Sequence, residues 1–390
     1  MRLPIYLDHN ATTPLDPDVF EAMRPYFLEK FGNPSSVEHY YGHEAAEAIE
    51  QAREQVAGVI GARPEEIVFT GTCTEANNLA IQGVARAHED KDHFVTSVIE
   101  HASVLQTFQW LEKHGKKVTY VGVDEYGRVS AEEVASSITR TTALVSIMAA
   151  NNEVGTVQPI AEIGRLCEER GVLFHSDLAQ AAVYLDTNVQ RDHLHLASLS
   201  AHKAYGPKGV GALYVRSRSP RARLMTHVFG GGQERGLRSG TISTPQVVGM
   251  GVALVRSKAV RVGEAARLRG LCKSLLETLR EATDRVVLNG HRTLRLPNNL
   301  SISIEGVEPH ALIRSVRGSV SFSASSACST REVRTSHVLV ALYGDDWRAR
   351  NAFRLAPGRF TTDAEADAAA AAIGSAARRL RLTTASEVSN

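Results

Sequence analysis

The chain has 390 residues, 43% hydrophobic and 22% charged, with 44 Lys and Arg against 43 Asp and Glu for a net charge of +1. That length exceeds one ordinary core and predicts two or more domains of a soluble globular protein. The near-neutral balance argues against a general polyanion-binding surface, no apolar stretch approaches the length of a membrane span, and from the short polar start Met1-Arg-Leu-Pro-Ile-Tyr-Leu-Asp8 no secretory signal is expected.

The four cysteines, Cys73, Cys167, Cys272 and Cys328, form no Cys-x-x-Cys pair. Neither a zinc site nor a disulfide framework is indicated, and a reducing, cytoplasmic location is expected. The one dense basic cluster, Arg216, Arg218, Arg221 and Arg223, reads as a solvated loop, with an acidic-partner contact as the weaker reading.

Helix-like and strand-like segments alternate from about residue 43 to 260. His43–Ile60 has helical periodicity. Short apolar strands are expected at Glu66–Thr70, His93–Val98, Lys117–Val123, Ala143–Met148, Gly171–His175, Leu194–Leu199 and Val210–Val215, with helices such as Ile160–Arg170 between several of them. This pattern predicts an α/β fold whose mostly parallel sheet is covered on both faces. Beyond residue 262 the texture changes. A helix at Glu264–Thr283, strands near Arg285–Leu288 and Asn299–Ile304, and an Ala-rich helix at Thr362–Leu382 read as a smaller α+β domain. The expected division is a large domain over 15–262 and a small domain made of 1–14 and 263–390.

Ligands of such folds bind beyond the carboxyl ends of the strands, and unusual polar residues fall there. Thr70-Gly-Thr-Cys-Thr-Glu75 joins a strand to a helix. Its exposed N–H groups form an anion site with Thr74 as the best phosphate ligand, although strand–Gly–helix turns are common. His101 ends a strand-like run, where an imidazole can stack on a ring and shuttle protons, or simply be a hydrogen-bonded loop residue. Asn152, in Ala149-Ala-Asn-Asn-Glu-Val-Gly155, is a candidate for a substrate carboxylate or cofactor, or a turn residue. Asp177, in His175-Ser-Asp-Leu-Ala-Gln180, is placed to pair with a pyridine nitrogen, or to cap a helix, and Gln180 to reach a phenolic oxygen.

Ser200-Ala-His-Lys203 enters from an apolar run and leads into Tyr205-Gly-Pro-Lys-Gly209. A lysine at the end of a buried strand loses hydration, which lowers its pKa and frees the amine for a Schiff base with a carbonyl cofactor. Ser200 and His202 are short donors suited to a phosphate. Together they suggest pyridoxal 5′-phosphate (PLP), even though most lysines are solvated surface residues. The run Gly230-Gly-Gly-Gln-Glu-Arg-Gly-Leu-Arg-Ser-Gly-Thr241 reads as flexible, rich in donors and more than a linker. Ser321-Phe-Ser-Ala-Ser-Ser-Ala-Cys328-Ser-Thr330 is nearly all small residues. It reads as mobile, with Arg331 and Arg334 adding positive charge, although free cysteines are most often small buried hydrophobes. Arg354, in a strand-like segment, can grip a carboxylate with two parallel bonds or lie on the surface.

These residues together resemble the PLP-dependent cysteine desulfurases of the class V aminotransferase type. The resemblance runs from Tyr6-Leu-Asp-His-Asn-Ala-Thr-Thr-Pro14 through Gly32-Asn-Pro-Ser-Ser36, Asn151-Asn-Glu153, the Ser-x-His-Lys segment, the Gly-rich run and Ser326-Ala-Cys328 to Gly358-Arg-Phe-Thr-Thr362. The Cys328-to-Arg354 spacing resembles the subgroup with a long cysteine loop, the NifS and IscS type. The resemblance implies a PLP type I fold with a seven-stranded sheet in the large domain. It implies a homodimer that converts L-cysteine to L-alanine. By the same resemblance, Lys203 would hold PLP and move protons, His101 would stack on the ring, and Asp177 and Gln180 would bind the ring nitrogen and phenolic oxygen. Thr74, Ser200, His202 and, from the neighbouring subunit, Thr241 would bind the phosphate. Arg354 and Asn152 with Asn33 would hold the substrate carboxylate, and Cys328 would accept the sulfur. The expected partner is a sulfur-acceptor protein: a cluster scaffold, or a tRNA-thiolation or DNA-phosphorothioation protein. No direct nucleic-acid contact, membrane contact or metal is expected.

Three departures stand out. Ser325 occupies a position usually held by Gly, Cys73 one often held by Ala or Gly, and Ala356-Pro357 interrupts the usual Ser/Leu before Gly358. They bear on loop behaviour and acceptor choice. A PLP lyase or aminotransferase that does not use the cysteine is the competing enzyme reading, and a sulfur-delivery scaffold the competing binding role.

Overall fold

The computed structural model describes residues 4–324 and 335–388. Cys328, Ser325, Ser326, Arg331 and Arg334 lie outside the described residues. Thirteen strands are present among those described: β1 (Ile5–Tyr6), β2 (Ile67–Thr70), β3 (His93–Ser97), β4 (Lys117–Val121), β5 (Thr142–Ser146), β6 (Leu173–Asp177), β7 (Leu196–Ser200), β8 (Gly211–Val215), β9 (Val286–Leu288), β10 (Leu300–Ile304), β11 (Val320–Ser321), β12 (Ser323–Ala324) and β13 (Ala352–Leu355).

The large sheet has seven strands in the order β2-β8-β7-β6-β5-β3-β4. Four of its pairings are parallel, and β8 runs antiparallel to both β2 and β7. The central strands are buried along their whole length because helices cover both faces, which is why they read as apolar runs rather than as alternating patterns. The second sheet, β12-β13-β10-β9, is antiparallel, and β1 pairs with β11 in parallel.

The expected strands are present with ends shifted by a few residues. The largest shift matters for the site. The segment expected at Gly171–His175 is the strand Leu173–Asp177, because Gly171 adopts φ +63° in the preceding turn and extended backbone begins beyond it. Asp177 is therefore the last residue of β6, as Ser200 is of β7.

The helix expected at Glu264–Thr283 begins twenty residues earlier and runs over Thr244–Ala282. The boundary at 262/263 thus passes through a continuous helix. Pro245 and the glycines at 249 and 251 argue against helix by propensity. Here Pro245 sits in the first turn, where it is tolerated, and the glycines serve close packing. A Cβ on Gly249 would lie 2.5 Å from Met23 Sδ, and one on Gly251 would lie 2.4 Å from Gln55 Oε1. The far end of the same helix packs on the terminal helix, where a Cβ on Gly374 would lie 2.4 Å from that of Ala282.

The run Gly230–Thr241 is pinned rather than loose. Arg53, on the helix Tyr40–Ile60, donates to both carboxylate oxygens of Glu234 at 2.8 Å, and Phe69 N–H of β2 donates to Glu234 Oε2 at 2.7 Å. Both side chains are almost fully buried. The clamp holds Glu234 and Arg235 in left-handed conformations, at φ +49° and +57°. Among the described residues, no helix is long and apolar enough to cross a membrane.

Candidate active site

A cavity of about 630 Å³ opens at the carboxyl ends of β6 and β7. It gathers Thr74, His101, Asn152, Asp177, Gln180, Ser200, His202, Lys203 and Arg354, residues drawn from 280 positions of sequence. Cys73 lines it too.

Lys203 lies just past β7. Its Nζ donates to the carbonyls of Asn10 at 2.7 Å and Ala11 at 2.5 Å. Burial lowers its pKa to about 8, helped by the Arg354 charge and opposed by Cys73, Asp177 and Asp8. The amine therefore exists in both forms near neutrality.

Asp177 is nearly buried. One oxygen accepts from Ala179 N–H at 2.9 Å and the other from Asn77 Nδ2 at 2.8 Å. Asn77 also donates to Ser103 Oγ at 2.9 Å, and Ser103 Oγ lies 2.8 Å from His101 Nδ1. Ser103 N–H donates to the same nitrogen at 3.1 Å, so Nδ1 is an acceptor and the neutral ring carries its proton on Nε2. Burial, and the nearby Lys203 and His337, hold the His101 pKa below its ordinary value, while Asp177 opposes them.

The phosphate-like corner is built at the start of the helix Cys73–Ala87. Thr72 caps it, accepting from Glu75 N–H at 3.0 Å. Opposite lies Gly211, where a Cβ would come within 2.6 Å of Thr72 C and 2.7 Å of Cys73 N, so only glycine permits this approach of β8 to the turn. Ser200 Oγ is buried with no hydrogen-bond partner. His202 Nδ1 meets Thr12 Oγ1 at 3.1 Å, and burial together with Lys203 and Lys208 lowers its pKa to about 4, leaving a neutral donor. The Cys73 thiol lies 3.8 Å from Asp177 Oδ1, and burial raises its pKa far above the ordinary thiol range. Burial thus favours its neutral thiol form.

An amide network closes the floor. Gln180 Nε2 donates to Asn10 O at 2.9 Å, Asn10 Nδ2 donates to Gln180 Oε1 at 3.2 Å, and Asn299 Nδ2 donates to Asn10 Oδ1 at 2.9 Å. Arg354, on β13, donates to Asn152 O and to Asp8 Oδ1, both at 2.7 Å.

Two expected residues stand elsewhere. Thr241 is exposed, and neither it nor Asn33 borders the cavity. Asn33 instead turns its side chain back on Ser35 N–H at 3.0 Å. Phe322, Ser323 and Ala324 line the cavity wall shortly before Cys328 in the sequence. Sequence reasoning missed Asp8, Asn10, Asn77 and Ser103. Asp8 and Asn10 lie in a quoted motif without an assigned role. Asn77 carries no local signal, since its carboxylate partner is 100 residues away.

A neutralisable lysine, a carboxylate across the cavity and a helix start beside an unpartnered buried hydroxyl fit a phosphorylated pyridine aldehyde, and the volume suits one. The fold and the cavity are those of a PLP-dependent enzyme of type I fold. The chain belongs to the class-V aminotransferase family, whose sequence profile matches residues 5–356. It is 44% identical over 381 residues to the cysteine desulfurase IscS of Rickettsia felis, covering 97% of this chain and 92% of that protein. Among solved structures, a NifS-like protein superposes with a TM-score of 0.89 at 36% identity, over 95% of this chain and 98% of the other. SspA in complex with cysteine gives 0.81 at 38% identity, over 92% and 100%.

Proposed function

We infer that the chain is a cysteine desulfurase that takes L-cysteine to L-alanine and passes the sulfur to its own Cys328. The observation that carries this reading is Lys203, its amine pKa lowered by burial, in one cavity with Asp177 and Arg354. The desulfurase relatives support the substrate.

PLP, when bound, supplies the electron sink for the pair left on the substrate carbon. Lys203 would hold the cofactor and, as a free amine, would take up the Cα proton of the substrate. The Asn10 and Ala11 carbonyls offer its Nζ a resting place within reach. Asp177 would hold the ring nitrogen and Gln180 the phenolic oxygen, and His101 would cover the ring and move protons at Nε2. Thr74, Ser200 and His202 hold the phosphate, and Thr241 of a second subunit completes it. Arg354 and Asn152, with Asn33, take the substrate carboxylate. The substrate C–S bond breaks with its electron pair left on carbon, which ends protonated in L-alanine. The sulfur joins Cys328 as a persulfide.

The exposure of Thr241 outside its own cavity supports a homodimer with shared sites, as does the apolar surface of Phe27, Leu28, Phe31, Tyr40 and Tyr41. The large domain over 15–262 carries the cofactor, and the small domain of 1–14 and 263–390 carries Arg354 and Cys328. The sulfur goes to a cysteine of an iron–sulfur cluster scaffold in a reducing cytoplasm.

The test uses holoenzyme and [35S]cysteine. Wild type forms alanine and a labelled persulfide, and Cys328→Ser forms no persulfide. Undiminished alanine turnover in that variant would establish a lyase that does not use the thiol. No alanine from wild type would leave only a scaffold. Label found in modified DNA instead of a cluster protein would redirect the pathway while leaving the desulfurase chemistry intact.

A further inference from the structure

We propose that Asp8 is a positioning residue for substrate binding, fixing the Arg354 guanidinium. The inference rests on Arg354 as the ligand of the substrate carboxylate. Arg354 borders the cavity and Asp8 does not, although the two pair at 2.7 Å. Asp8 therefore fixes Nη2 of the guanidinium while the Arg354 side chain still borders the cavity. The Asn152 carbonyl takes Nη1 at 2.7 Å, so two of the five N–H groups are fixed and set the plane of the fork. Nε is buried without a partner.

The grip is itself held. Asp8 Oδ2 accepts from Ser323 Oγ at 2.6 Å. Ser323 stands directly beside Arg354 in the β12–β13 register, and Asp8 bridges Ala356 in parallel. Three segments that are remote in sequence thus converge on one carboxylate.

A nearly buried guanidinium needs a counter-charge while no substrate is present, and Asp8 supplies it. A long side chain with free rotamers would lose entropy when a substrate carboxylate ordered it, and pre-fixing the plane removes that loss from binding. Asp8 also offsets the effect of the Arg354 charge on Lys203, since the two act on that amine in opposite directions.

The experiment is a double-mutant cycle on the holoenzyme, reading kcat and KM for L-cysteine and the calorimetric Kd for L-alanine. Asp8→Ala raises KM and Kd about 10-fold with kcat within about 3-fold, a loss of roughly 1.4 kcal/mol in binding. Asp8→Asn keeps an acceptor for Nη2 and returns both constants to within about 3-fold of wild type. In an Arg354→Ala background, Asp8→Ala changes neither constant by more than about 2-fold. Equal effects in the two backgrounds, or an unchanged KM in Asp8→Ala, overturn the proposal. An unchanged KM in Arg354→Ala alone overturns instead the carboxylate role of Arg354. Should Asp8→Ala not fold, Ser323→Ala removes only the support of Oδ2. It raises KM about 3-fold when Arg354 is present, and no rise refutes the proposal.

Discussion

Asn77 ties Asp177 to the helix that starts at the phosphate-like corner: its amide nitrogen reaches the carboxylate at 2.8 Å and Ser103 Oγ at 2.9 Å. The carboxylate that would face the ring nitrogen and the imidazole that would cover the ring are therefore set by one side chain. Hydrogen bonds to a charged group contribute roughly 1.5–3 kcal/mol. Asn77→Ala lowers kcat about 10-fold and shifts the absorption band of the bound cofactor, with the fold unchanged by circular dichroism. An unaltered spectrum and rate would remove Asn77 from the site.

The depressed Lys203 pKa has a definite sign. Its ammonium loses a proton near pH 8 instead of near the ordinary lysine value, so the reactive amine accumulates as pH rises through 8 and then levels off. The rate of PLP capture by apoprotein, followed by absorbance and corrected with Lys203→Ala, is half-maximal near pH 8 and reaches its plateau about one to two pH units higher. A rate that keeps climbing past pH 10 would mean a solvated lysine.

Glu234→Ala leaves the buried Arg53 guanidinium with Glu50 and the Ile67 carbonyl as its remaining partners, and takes the acceptor from Phe69 N–H. Removing one partner of a buried pair costs about 3–5 kcal/mol, whereas replacing both with apolar residues of similar volume is far milder. Denaturant unfolding of Glu234→Ala shows that large loss, and Arg53→Met with Glu234→Leu recovers most of it. Equal losses in the two would mean that the pair is not the source.

Gly211→Ala forces the backbone at Thr72 and Cys73 to move, because its Cβ would sit 2.6 Å and 2.7 Å from their atoms. The turn that carries Thr74 shifts with it. PLP affinity, measured by fluorescence titration of apoprotein, falls about 10-fold or more, roughly 1.4 kcal/mol. Retained affinity would place the phosphate away from this turn.

Much of the architecture was legible because a doubly covered parallel sheet writes its strands as apolar runs, and polar residues at strand ends stand out against them. Lys203, Asp177 and Thr74 were readable for that reason. The long helix over Thr244–Ala282 was cut short in the sequence reading, because Gly249 and Gly251 oppose helix locally while their value lies in contact with Met23, Ala52 and Gln55. The Gly230–Thr241 run read as flexible because its restraint, Arg53, is 181 residues from Glu234. Asp8 and Asn77 were silent for the same reason: their partners lie 346 and 100 residues away, and no local spacing encodes such pairs.

The clamped run Gly230–Thr241 ends at an exposed Thr241. In the proposed homodimer each subunit lends a phosphate donor that it cannot use itself, so assembly and cofactor retention obey a single mass-action balance. Dilution that separates the subunits would weaken PLP retention, and added PLP would favour the assembled pair. In that homodimer the fraction of loaded enzyme would depend on the concentration of the protein itself.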